Sequence, residues 1–285
     1  MTWLFKALSR LPLRVVHLLG AGLGWLAYWL SPRYTQRMRE NLALSGIAQN
    51  DAEYRRLLRS IVAEAGKGLL ELFVVWGRPF EQALALVRQC DGWEHVEAAR
   101  AAGRGVILLT PHLGCFEIAG LYCASRMPMT VLYRPPRLRW LQPIMESGRG
   151  RGSMTLAPTD VSGVRKLLAA LKRGEAIGVL PDQVPGSGEG VWAPFFGRPA
   201  YTMTLVGKLV ERTQAQVLLV FAERLEKGRG YRLAFMPMQP PMRGEPSQAA
   251  GIMNAAVESV VRLRPEQYLW SYNRYKIPQG VAREE

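Results

Sequence analysis

Cysteine and histidine are both scarce in this chain, three of each among 285 residues. Cys90, Cys115 and Cys123 form no CxxC pair and no metal-type spacing, which argues against a zinc site or a disulfide framework. Cys115 and Cys123 read as apolar filler on one helix, and the pattern fits a reducing, cytosol-facing setting. Acidic residues are also few: 23 against 37 Lys and Arg, for a formal net charge of +14. A surplus of that size implies an anionic partner, whether nucleic acid, anionic lipid or an acidic carrier protein. Nucleic acid is disfavoured, because zinc-finger spacing and an aromatic RNP-like strand are both missing. The basic residues are also spread along the chain rather than gathered in a tail. No internal repeat or low-complexity tract is present.

What is there is mostly apolar: 48% hydrophobic against 21% charged residues, enough for a packed core. The apolar stretch Leu11 to Leu30 is broken by Arg14 and His17, and its uninterrupted part from Leu18 is short for a membrane span of about 20 residues. It lacks a small-residue cleavage site and ends on Trp25, Tyr28 and Trp29. This segment is expected to be an uncleaved membrane anchor, interfacial or shallowly spanning; the alternative is a buried core helix. Basic residues flank it on both sides and give no orientation. The region 1–85 reads as entirely helical. Tyr34 to Leu44 shows helical spacing, and Asp51 is a plausible N-cap for a helix over Ala52 to Trp76, which Gly77-Arg-Pro79 ends.

From about residue 88 strands and helices alternate. Val106–Leu109, Met129–Tyr133, Ala176–Leu180, Gln216–Glu223 and Tyr231–Met236 read as strands, the last two joined by a hairpin over Lys227-Gly-Arg-Gly230. Glu117–Ser125, Leu138–Gly148, Val161–Arg173, Met203–Arg212 and Ser247–Leu263 read as helices. Such alternation predicts an α/β fold with a largely parallel sheet flanked by helices. Two regions are expected: a helical membrane anchor over 1–85 and an α/β domain over 86–285.

The most informative segment is Thr110-Pro-His-Leu-Gly-Cys-Phe-Glu117. It places His112 just past the carboxyl end of a buried strand, where open α/β sheets put their ligands. Glu117 follows five residues later. On one regular helix the two would point about 140° apart, but a turn at Pro111 and Gly114 brings them together if Glu117 sits in the first turn of the next helix. A carboxylate on one imidazole nitrogen fixes the tautomer and strengthens the other as a base. The plainer alternative is a histidine capping a helix, with Glu117 on a solvated face. Cys115 as a nucleophile is disfavoured.

Three further clusters sit at expected strand ends or turns. Arg134, in Val131-Leu-Tyr-Arg-Pro-Pro-Arg137, is expected at the same sheet edge as His112, where its fork suits phosphate or carboxylate; Arg137 and Arg139 add charge. In Arg149-Gly-Arg151 the glycine permits a tight turn and close approach to a ligand. Asp182, in Gly178-Val-Leu-Pro-Asp-Gln183, ends another strand and is expected to anchor the arginines. A glycine-rich loop follows it, but without a Walker lysine it is not a P-loop. Pro194, Phe195 and Phe196 are expected either to wall an apolar channel or to fill the core. Polar strand ends converging on one edge form an active-site rim.

Taken in order, His-x4-Glu after an apolar strand, Tyr-Arg-Pro, Arg-Gly-Arg, Pro-Asp-Gln and Phe-Phe-Gly-x-Pro-Ala-x-Thr resemble the late acyltransferases of lipid A biosynthesis. These are the lauroyl/myristoyl transferases of the wider His-x4-Asp/Glu glycerolipid acyltransferase group. The resemblance covers nearly the whole chain. It implies that His112 is the general base and Glu117 its orienting carboxylate. It also implies that Arg134, Arg149 and Arg151 lie near donor or lipid phosphates, and that Asp182 helps shape the acceptor site. The implied donor is an acyl-carrier-protein thioester and the acceptor an anionic glycolipid. The implied location is the cytoplasmic face of a bacterial inner membrane, with no cofactor and no metal. Acylation of another amphiphile, such as an ornithine lipid, lysophospholipid or glycolipid, and a non-catalytic lipid-binding protein are the competing readings.

Overall fold

The computed structural model describes residues 2–136 and 138–282, with side-chain burial from residue 5 onward; Arg137 lies outside the described residues. Helices come first: α1 (Thr2–Arg10), α2 (Leu13–Leu30), α3 (Pro32–Leu44), α4 (Asp51–Gly77) and the short α5 (Phe80–Leu84). The cap of α4 is Asn50 rather than Asp51. The Asn50 side chain accepts from Glu53 N, while Asp51 sits in the first turn, where a negative charge suits the helix dipole.

Helix α2 packs along α4 at glycine contacts. A Cβ on Gly24 would lie 2.1 Å from Val62 O, and one on Gly66 would lie 2.0 Å from Gly20 O, so only glycine allows this backbone approach. Leu13, Val16, His17, Gly20 and Gly24 are buried against α4. The opposite face exposes Val15, Leu18, Leu19, Leu26, Trp29 and Leu30. Helix α2 is therefore not a buried core helix. It is an amphipathic partner of α4 with an uncovered apolar stripe.

The α/β part follows as β1 (Val87–Asp91), α6 (Trp93–Ala101), β2 (Val106–Leu109), α7 (Phe116–Ala124), β3 (Met129–Tyr133), α8 (Gln142–Arg149), β4 (Met154–Pro158), α9 (Val161–Lys172) and β5 (Ala176–Val179). It continues through β6 (Gly190–Phe195), β7 (Arg198–Met203), α10 (Leu205–Thr213), β8 (Gln216–Arg224), β9 (Tyr231–Pro237) and α11 (Pro246–Leu263). Seven strands form one sheet in the order β1-β9-β8-β2-β5-β3-β4. Strands β8, β2, β5, β3 and β4 are mutually parallel, and β9 and β1 run the other way. The central strands β2 and β5 are buried at every position, as uninterrupted aliphatic strands covered on both faces should be. The expected α/β fold with a mostly parallel sheet and flanking helices is what forms.

The glycine-rich stretch after Asp182 gives way to an antiparallel hairpin, β6–β7, that had no alternating signal strong enough to be read. Its turn holds Phe196 at φ 47° and Gly197 at φ 72°. Phe195 and Phe196 are buried in the core beside Tyr275 and Trp270. They fill core space beneath α11.

Candidate active site

Strands β2 and β5 are adjacent and in register, with Leu109 opposite Val179. His112 and Asp182 each lie three residues beyond those paired ends, so the sheet itself delivers them to one point. Asp182 Oδ1 is 2.8 Å from His112 Nδ1, and Asp182 Oδ2 accepts from the His112 backbone N–H at 2.8 Å. Burial works against the Asp182 charge. The His112 ring and the backbone N–H groups that the carboxylate accepts nonetheless hold its pKa below the ordinary value. The carboxylate is therefore ionised, and Nδ1 carries the proton it receives.

The orienting carboxylate is thus Asp182, not Glu117. Glu117 lies in the first turn of α7, as expected, but faces α4 and α8. Its Oε2 accepts from Trp76 Nε1 at 3.0 Å, and both oxygens are bound by the Arg149 fork. The Arg149 guanidinium also lies 5.5 Å from the Trp76 ring centroid, a cation–π distance. With all of these partners in place, the buried Glu117 is committed to α4 and α8 and makes no hydrogen bond to His112.

Two of the three expected anion-binding arginines direct their donors inward. Arg149 holds Glu117. Arg151 donates to the carbonyls of Val75 and Arg78 at the C-terminal end of α4 and of Gly148 at that of α8, acceptors that helix ends leave open. Gly150, between them, has an ordinary φ of −74°. The glycine that permits a close approach is Gly148, where a Cβ would lie 2.5 Å from Trp76 Cβ. Arg134 does stand at the strand edge. It is exposed, and among the described residues its one side-chain hydrogen bond is to Thr159 at 3.5 Å, which leaves most of its fork free. Asp182 engages His112 and none of these arginines.

The loop carrying His112 is fixed from behind. The His112 carbonyl accepts from Leu269 N at 3.0 Å, and Gly114 and Cys115 bond to Gln267 O and Ala222 O. Gly114, at φ 62°, could not be another residue, because a Cβ would sit 2.0 Å from Ala222 O. Beneath it lies a buried pair no local motif signalled. Arg224 bonds Glu71 through Nε and Nη2 and donates to the Gly114 carbonyl at 2.8 Å, while Tyr231 OH donates to Glu71. Burial alone would raise the Glu71 pKa, but Arg224 and His17 hold it at about 2. Burial pushes the Cys115 thiol well above its ordinary pKa, so Cys115 is packing rather than a nucleophile.

Sequence comparison supplies the family. A family model described as bacterial lipid A biosynthesis acyltransferase matches residues 1–277. The chain belongs to that family. It is 30% identical to the lipid A biosynthesis lauroyltransferase of Escherichia coli K12 over 292 residues, 99% of this chain and 93% of that protein. It is 28% identical to the palmitoleoyltransferase of the same organism, over 94% of this chain and 87% of that one. The corresponding myristoyltransferase is 26% identical, over 88% of this chain and 77% of that protein. In this family member the imidazole of the His-x4-Glu segment is therefore held by the Asp of the later Pro-Asp-Gln segment. The motif glutamate joins α4, α7 and α8 into one unit.

Proposed function

We propose that the protein transfers a fatty acyl chain from an acyl-carrier-protein thioester to a hydroxyl of a lipid A precursor. The observation that carries this reading is the Asp182-locked imidazole of His112 at the carboxyl end of the parallel strands, within a chain of this family. His112 Nε2 accepts the proton of the acceptor hydroxyl as its oxygen attacks the thioester carbonyl. Asp182 stabilises the imidazolium that forms, the C–S bond breaks, and the thiolate leaves with the proton returned from the ring. The exposed Arg134 supports binding of an anionic group at the same edge.

The surface suits a membrane enzyme. The outward stripe of α2 lies in the lipid interface rather than across the bilayer, because its full-length partner α4 carries exposed Arg55, Arg56 and Arg59, which oppose entry into hydrocarbon. The net charge of +14 favours anionic lipid and acidic carrier protein together, on the cytoplasmic face of a bacterial inner membrane. The test is an assay of the purified full chain with acyl-carrier-protein thioester, acyl-CoA and a disaccharide lipid A precursor. Transfer to the precursor from the carrier thioester is the expected result. Transfer only to other amphiphiles, or only from acyl-CoA, would overturn the substrate assignment.

A further inference from the structure

The Asp182 clamp decides what the other ring nitrogen of His112 can do. With the proton on Nδ1, Nε2 of the neutral ring offers one lone pair, able to accept one hydrogen bond. That place is occupied: Gln183 Nε2 lies 3.1 Å from His112 Nε2. Only the amide N–H of Gln183 can face a lone pair, so the amide donates and its oxygen points away. Gln183 follows Asp182 directly, and its backbone is steadied by the next residue, since Val184 N donates to Tyr272 OH at 3.0 Å. Its side chain is exposed and makes no other hydrogen bond among the described residues. The group covering the base is therefore tethered at its root and, among the described residues, held at its tip by His112 alone.

We propose that Gln183 is a displaceable cap on His112. It is a positioning residue that shields the base from water until an acceptor hydroxyl takes its place. The inference rests on His112 being the general base. A hydroxyl replaces the amide like for like, one donor for another, so the exchange leaves the lone pair satisfied and costs little. Water faces the same barrier without the binding contacts of a lipid acceptor to offset it. The cap thus selects against hydrolysis, in which water would add to the thioester carbonyl and release free fatty acid and thiol.

The test uses the full-length protein and a probe that does not depend on turnover. Diethyl pyrocarbonate modifies neutral imidazole nitrogen, and peptide mass spectrometry reports the rate at His112, with His95 as internal reference. Gln183→Met keeps the length of the side chain but donates nothing; Gln183→Ala removes it. Loss of one hydrogen bond predicts about three- to tenfold faster modification of His112 in both variants. Equal rates at His112 in wild type and Gln183→Met overturn the proposal, as does acceleration in the alanine variant alone, which would make the cover steric. In Gln183→Met the ratio of thioester hydrolysis to transfer should rise. Gln183→Glu, which accepts from a protonated ring and so favours imidazolium, should move the acid limb of the activity profile to higher pH. Should the wild-type protein fail to acylate the lipid A precursor while the modification rates still separate, the substrate assignment fails and the cap stands.

Discussion

Asp182 holds His112 at two points, its ring Nδ1 and its backbone N–H, each at 2.8 Å. One carboxylate thereby fixes both the tautomer of the imidazole and the position of the loop that carries it. His112→Ala should lower acyl transfer by about 10² to 10⁴ in a protein that still folds, with a lower thermal midpoint because the buried Asp182 loses its ring partner. Asp182→Asn should also lower the maximal rate strongly, because an amide can present its N–H to Nδ1 and invert the tautomer. Full turnover in Asp182→Asn would remove Asp182 from the catalytic arrangement.

The contacts of Glu117 to Trp76 and Arg149 predict a structural role. Glu117→Ala leaves the Arg149 guanidinium without its carboxylate between α4 and α8, a loss of about 3 kcal/mol for a partly buried pair. Chemical denaturation should show this loss, and restored folding in stabilising conditions should recover much of the activity. An activity loss as deep as that of His112→Ala in a protein of wild-type stability would instead put Glu117 in the chemistry.

The Glu71–Arg224 pair makes stability depend on acid pH. The Glu71 pKa is depressed from 4.5 to about 2, so its contribution is complete above the unfolded value. It is lost progressively as pH falls from about 4.5 toward 2. The depressed Asp182 acts with the same sign. Urea midpoints measured at pH 7, 4 and 3 should fall steadily, and Glu71→Gln should flatten the decline. Arg224→Met, which strands Glu71 in the core, should cost about 3–5 kcal/mol at neutral pH.

Helix α2 provides a membrane test. Replacing Leu18, Leu26 and Trp29, all exposed on one face, with glutamate should lower partitioning into anionic vesicles by at least about tenfold, since each large apolar side chain contributes about 1.5–3 kcal/mol when buried. Circular dichroism should be unchanged, because all three side chains are exposed. Undiminished vesicle binding would place the membrane contact elsewhere.

Close packing of α2 on α4 has its own signature. Gly24→Ala puts a methyl 2.1 Å from Val62 O, so the helices must separate. A destabilisation of about 1–3 kcal/mol is expected, visible as a lowered thermal midpoint, whereas Gly22→Ala meets nothing within 4 Å and should be neutral or slightly stabilising.

Much of this was legible in the sequence because it is local. Aliphatic runs such as Val106–Leu109 and Ala176–Val179 mark buried strands by themselves, and the helical spacing of residues 51–77 marks α4. The strands β1 and β4 were not read, since Val87–Asp91 and Met154–Pro158 carry mixed, partly exposed residues with no clean period. The β6–β7 hairpin was hidden by its glycines and prolines. The partners of Trp76 and Gln183 were not legible: Gln183 stood in the Pro-Asp-Gln segment without a contact assigned to it, and the bonds of Trp76 to Glu117 and of Gln183 to His112 depend on packing between distant elements.

The sequence by itself determined that His112, Arg134 and Asp182 stand at strand ends on one edge of a parallel sheet, because aliphatic runs mark the strands and the helices between them make successive strands parallel. Only the tertiary structure decided which carboxylate meets the imidazole. Glu117 is five residues away along the chain but turns on its helix toward α4. Asp182 is 70 residues away but belongs to the neighbouring strand, and the register of β2 with β5 sets the two side chains side by side.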